Sequence, residues 1–81
     1  MLFSVQLFAR ARDLAGAPVV ELNLPVGATV ADLRIELGRR CPDLAPLSPR
    51  LLVAVGQAYA RDTDPLPAGG EIACFPPVSG G

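Results

Sequence analysis

The chain contains no lysine and no histidine; all seven of its basic residues are arginine. A GC-rich gene is enough to explain that bias, but the chemical consequences hold regardless. Without histidine there is no imidazole base and no imidazole metal ligand, and without lysine there is no amine nucleophile on a side chain. Cysteine is scarce as well. Cys41 and Cys74 stand far apart, form no CxxC pair and leave too few ligands for a zinc site. Asp62 and Asp64, in a proline-bounded turn, read as solvated carboxylates, so no metal is expected. The net side-chain charge of −1 gives neither the footprint of a nucleic-acid binder nor a polybasic membrane surface. No apolar run approaches the roughly 18 residues of a membrane span, and no export signal precedes the first predicted strand. Two cysteines without such a signal suit a reducing cytosol, so a cytoplasmic location is expected. A self-contained enzyme is not.

What is present suffices for a core. Of the 81 residues 51% are hydrophobic and 19% charged, which excludes a disordered composition and sets the scale at one small domain. Residues 1–9 alternate, with Phe3, Val5 and Leu7 on one face and Ser4 and Gln6 on the other, as in a half-buried strand. Residues 19–24 repeat the pattern through Val20, Leu22 and Leu24. Between them, Arg10 to Leu14 predicts one helical turn, and Leu14 to Pro18 the connection of a hairpin.

Thr29 begins the main helix. With Asp32 three residues on it resembles a capping box with a shorter acid. Val30, Leu33, Leu37 and Cys41 form one apolar stripe, Arg39 and Arg40 suit the last turn, and Pro42 stops the helix. Three prolines predict a loop over 42–50. Leu51 to Val55 reads as a strand, Ala58 to Ala60 as a short edge strand, and Glu71 to Phe75 as the last strand. The expected order is β-β-α-β-β-β: an α+β domain with a mixed sheet of about five strands and one helix across one face.

The end of the sequence is distinctive. Pro76-Pro77 should end strand pairing and hold the exit extended, and Gly80-Gly81 follow Val78-Ser79. The expected division is a folded domain over 1–76 and an extended tail over 77–81. Five residues beyond Pro76 reach roughly 16 Å, enough to enter another protein's active site. Two residues without Cβ let the terminal carboxylate pass a narrow channel.

The element order and the Gly-Gly end resemble the ubiquitin-like β-grasp proteins, and among them the small subunit of molybdopterin synthase. Three stretches carry the resemblance: Phe8-Ala9-Arg10-Ala11-Arg12-Asp13-Leu14-Ala15-Gly16, Leu52-Val53-Ala54-Val55-Gly56-Gln57, and Gly70 through Gly81. Gly56 departs from the family's usual Asn, and Cys74 from a larger apolar residue.

The resemblance implies a sulfur carrier in molybdenum cofactor biosynthesis. Its Gly81 would be adenylated by an E1-like adenylyltransferase and converted to a thiocarboxylate. Sulfur would come from a donor such as a cysteine desulfurase or rhodanese. Inside the synthase large subunit the thiocarboxylate would then pass sulfur to cyclic pyranopterin monophosphate. ATP would be used by the activating partner, with no cofactor held by this chain and the catalytic groups on the large subunit. Gly81 carries the sulfur in this scheme, and Gly80, Ser79, Val78, Pro77 and Pro76 position it. Phe75 is expected on the sheet face away from the helix, with Tyr59 and Leu66 in the same patch. Arg12, which matches a family arginine, is expected against a partner carboxylate. Three other readings share the fold: a sulfur carrier for thiazole, thiolated tRNA or cysteine synthesis, a ubiquitin-like modifier joined to lysines, and an interaction module with an inert tail.

Overall fold

A computed structural model describes residues 1–77; the expectations placed on Val78, Ser79, Gly80 and Gly81 lie outside the described residues. The first apolar alternation forms strand β1 (Leu2–Leu7), which buries Phe3, Val5 and Leu7 and turns Ser4 and Gln6 outward. Strand β2 (Val19–Asn23) runs antiparallel to it, with Phe3 opposite Leu22 and Val5 opposite Val20. Strand β5 (Ile72–Phe75) pairs parallel to β1 on the other side, with Val5 opposite Ile72 and Leu7 opposite Cys74. Strands β3 (Leu52–Val55) and β4 (Ala58–Tyr59) complete the order β2-β1-β5-β3-β4. The strand nearest the C-terminus is therefore central, held on both edges.

Between β1 and β2 the chain departs from the hairpin expected there. The single turn anticipated at Arg10–Leu14 is a seven-residue helix α1 (Ala9–Ala15). Two features sustain so short a helix. Ala11 is fully buried against the core, and Gly16, at φ 76°, donates its N–H to the Arg12 carbonyl at 2.9 Å and closes the helix. The observed order is thus β-α-β-α-β-β-β.

Helix α2 (Val30–Arg40) lies across the sheet as the stripe predicts. Thr29 and Asp32 form the capping box in both directions: the Thr29 N–H donates to Asp32 Oδ2 at 2.9 Å and the Asp32 N–H donates to Thr29 Oγ1 at 3.4 Å. Val30, Leu33 and Leu37 are fully buried, each contributing about 1.5–3 kcal/mol relative to exposure. Cys41 does not extend the buried stripe; it is the half-buried cap residue beyond the helix. The proline-rich segment after it is two 3-10 turns, Pro42–Leu44 and Ser48–Arg50, rather than an open loop, because each accommodates its proline where no helical N–H is needed.

Arg34 ties these pieces together. Its guanidinium donates to the carbonyls of Ser48 and Leu51 at 2.9 and 2.6 Å and to Asp62 Oδ1 at 2.8 Å. The Ser48 hydroxyl returns a bond to the Arg34 carbonyl at 2.7 Å. One side chain thereby fastens α2 to the start of β3. Among the described residues, no helix is long and apolar enough to cross a membrane.

Candidate functional site

The face of the sheet opposite α2 is defined by strand parity. Ile72 and Cys74 are buried beneath the helix, so Ala73 and Phe75 face the other way. Register then aligns one row across all five strands: Val19, Gln6, Ala73, Ala54 and Tyr59. The next row toward the tail places Leu52 opposite Phe75. Both rows are uncharged and, apart from Gln6, largely apolar.

Phe75 is half-covered, and the residue that covers it is Phe8. Their rings stack with centroids 4.8 Å apart and planes 8° from parallel. Such a pair contributes about 0.5–1.5 kcal/mol beyond its buried area. Local backbone geometry makes the stack possible. The Phe8 N–H donates to the Cys74 carbonyl at 3.3 Å, continuing the β1–β5 ladder by one residue. Ala9 then takes φ 54°, a left-handed conformation costly for any residue with a Cβ, and turns the chain into α1. The kink holds Phe8 over the end of the sheet, where it remains 40% exposed.

Tyr59 is 72% exposed at the other side of this face and, with Phe75, Ala54, Gly56 and Gln57, rims a hollow of about 280 Å³. Gly56 at the β3–β4 turn has φ 64°, a conformation that Asn also tolerates, so the departure from the family's residue leaves the turn unchanged in kind. Arg12 is exposed in the last turn of α1, on the side of the fold where the tail leaves.

Leu66 does not belong to this patch. Its N–H donates to the Ala28 carbonyl at 2.8 Å, which pulls the segment onto the N-terminal end of α2, and its side chain is 7% exposed within the core. Phe8, Leu52 and Val19, not singled out from the sequence, take the place expected of it. The available signal was the parity of Phe8 with Ser4 and Gln6.

The chemistry of the remaining groups narrows what the site does. Burial pushes the Cys74 thiol up to about 11, against a smaller opposing pull from Arg34. A thiol so placed stays protonated and is a poor nucleophile, although it is only two residues from Pro76. Asp62 is bonded to Arg34, and Asp64 Oδ2 accepts the Arg61 N–H at 2.8 Å. The described residues thus form an apolar platform with a stiff exit, Pro76 half-buried and Pro77 exposed. Such a surface suits protein docking, with aromatic anchors at its centre.

Comparison with known proteins agrees with this architecture. Residues 5–81 match the model of the ThiS family. The molybdopterin synthase sulfur carrier subunit of Arabidopsis thaliana is 36% identical over 77 residues, covering 95% of this chain and 80% of that protein. The subunit of the same name in Escherichia coli (strain K12) is 35% identical over 82 residues, covering 99% of this chain and 100% of that protein. Among solved structures, SAMP1 from Haloferax volcanii, a small archaeal modifier protein, superposes with a TM-score of 0.85 at 29% identity, over the whole of both chains. Fold, strand order and these matches together place the chain in the ThiS family, as a relative of the molybdopterin synthase sulfur carrier subunits.

Proposed function

We propose that this chain is the sulfur carrier subunit of a molybdopterin synthase, working in the cytoplasm and using Gly81 as its reactive group. The observation that carries the reading is the placement of β5. It is the central strand, paired on both edges, and it ends in a stacked aromatic platform followed at once by Pro76-Pro77. A tail leaving such a strand starts from a fixed point and direction, so a docked partner receives its terminus at a defined depth. The family match to residue 81 and the names of the relatives support the assignment of that terminus to sulfur transfer.

The chemistry begins with a carboxylate, whose oxygen is a poor leaving group. An E1-like adenylyltransferase joins the Gly81 carboxylate to the α-phosphorus of ATP, releasing pyrophosphate and making an acyl adenylate. A persulfide from a cysteine desulfurase or rhodanese attacks the acyl carbon; the C–S bond forms as the bond to AMP breaks. A second thiol then attacks the donor cysteine's own sulfur, forming a disulfide with it as the S–S bond to the acyl sulfur breaks and leaving the thiocarboxylate on Gly81. In the synthase large subunit the thiocarboxylate sulfur attacks cyclic pyranopterin monophosphate, water then cleaves the acyl–sulfur bond and returns the Gly81 carboxylate, and two such donations complete the dithiolene. Throughout, this chain supplies a platform, a stiff exit and two residues without side chains. The bases and nucleotide-binding groups belong to its partners.

Deleting Gly81 should abolish sulfur donation in a reconstituted synthase while leaving the melting temperature unchanged, because the folded core is complete without it. Retained donation, or a large loss of stability, would contradict the assignment.

The likeness to SAMP1 favours a second reading, in which the same activated terminus is joined to lysines of other proteins. Isopeptide-linked conjugates in a lysate would support it. The chain itself has no lysine to accept a further copy, so such conjugates would not extend through its own side chains.

A further inference from the structure

Side-chain charge is nearly balanced in the sequence but not in space. Arg34 pairs with Asp62 and Arg39 with Glu36, each at 2.8 Å. The other charged side chains segregate toward opposite ends of the fold. Strands β1 and β5 run parallel and finish together, so Phe75 and the tail exit lie where α1 begins. Around that end stand Arg10 and Arg12 on α1, Arg40 at the close of α2 and Arg50 just ahead of β3, opposed by Asp13 and Asp43.

The acidic groups lie at the other end. Glu21 is opposite Ser4 in the first half of β1, and Glu71 precedes the residue that pairs with Val5 and Val55. Asp32 is in the first turn of α2, and the Asp64 carbonyl accepts the Val30 N–H there. Arg61 is the arginine among them, and it forms no ion pair among the described residues. Four arginines against two aspartates leave two positive charges at the tail exit, and four carboxylates against one arginine leave three negative charges opposite. The Met1 ammonium, bonded to Asn23 and Leu24 at the acidic end, reduces that excess without reversing it, and the Gly81 carboxylate does the same to the positive excess.

The positive end also has a shaped feature. Arg10 and Arg50, distant in sequence, line one surface cavity of about 320 Å³ together with Leu14, Asp43, Pro46 and Leu47. Neither forms an ion pair among the described residues. A cavity lined by two arginines, one aspartate and the apolar side chains of Leu14, Pro46 and Leu47 suits a further carboxylate, which arginine can hold through two parallel bonds.

Resting on the carrier reading above, we infer that the large subunit carries carboxylates around the mouth of its tail-receiving channel but not inside it. There they face the arginine-rich end of the carrier and draw it in tail first, and one of them seats in the cavity lined by Arg10 and Arg50. Complementary charge of this kind acts mainly on the association rate and fades as salt rises. The apolar platform then supplies the contact that persists.

The test is stopped-flow association of the full chain with the purified large subunit of the same host, over a series of ionic strengths. The R10E/R50E pair should associate at least about tenfold more slowly at low salt, with a flattened salt dependence. The neutral pair R10Q/R50Q should fall between it and the unmodified chain, and decides the matter if the reversed pair does not fold. E71Q, at the acidic end, should stay within about twofold of the unmodified rate. Association unaffected by either arginine pair would overturn the inference alone. Failure of the unmodified chain to bind the large subunit would overturn the carrier reading and this inference with it.

Discussion

Replacing Arg34 by Met removes the guanidinium while keeping most of the apolar stem. Two of the lost bonds go to the carbonyls of Ser48 and Leu51, residues that are 3% and 1% exposed. Hydrogen bonds to a charged group contribute about 1.5–3 kcal/mol each, and a buried carbonyl left without a donor carries its own desolvation penalty. The Arg34 side chain is 16% exposed, so water can reach part of the vacated space, which favours the lower end of the range. The expected loss is about 3 kcal/mol. The bond to Asp62 adds little, since that carboxylate is 61% exposed and well solvated without its partner. For a domain of this size, such a loss lowers the melting temperature by roughly 12–24 °C. Urea denaturation of R34M and D62N side by side is the assay, with D62N expected to lose less than about 1 kcal/mol. Equal losses in the two variants, or a loss below about 1 kcal/mol in R34M, would refute the clamp. The consequence reaches the site, because Leu51 precedes the residue that pairs with Phe75.

Cys74 predicts an alkaline limit to stability. The unfolded thiol ionises near 9.0, whereas the folded one keeps its proton until about 11, so the unfolded state alone gains from deprotonation between those values. The contribution is fully present below pH 9 and is lost across that window, at up to about 1.4 kcal/mol per pH unit. Denaturation measured from pH 8 to 11 should show this slope, and C74V should lack it; an equal slope in both would assign the loss to other groups. Ala9 sits at φ 54°, so a β-branched residue there should be poorly tolerated and glycine well tolerated. A9V should destabilise by at least about 1 kcal/mol and A9G by nothing measurable, both read from urea midpoints. Equal tolerance of Val and Gly would show that the kink is absent in solution.

Much of the fold was legible because it rests on periodicity. The alternation of Phe3, Val5 and Leu7, the stripe of Val30, Leu33 and Leu37, and the Thr29–Asp32 cap each have a local signature that tertiary structure had no reason to override. Helix α1 reads as a single turn in the sequence because it has no side-chain cap, and its seven residues are held by the burial of Ala11 and by Gly16 rather than by pattern. The 3-10 turns were hidden by prolines, which mark loops and helix starts alike. At the site, Phe75 could be placed by parity alone. Leu66 could not, since a leucine between two prolines looks exposed until its backbone bond to Ala28 is seen. The Phe8–Phe75 stack and the separation of charge depend on parallel pairing of the first and last strands, a contact between residues almost the whole chain apart. No single-sequence pattern reports such a contact.

The central claim is that Gly81 carries the sulfur. Its most direct test is mass spectrometry of the C-terminal peptide after incubation with ATP, a sulfur source and the host's E1-like enzyme. The peptide must be fragmented, because oxidation of Met1 or of a cysteine adds nearly the same mass as exchanging oxygen for sulfur. The account predicts one oxygen replaced by sulfur, located at Gly81 and absent when ATP is withheld. An unmodified Gly81, with an activating enzyme shown to be competent on another carrier, would contradict it.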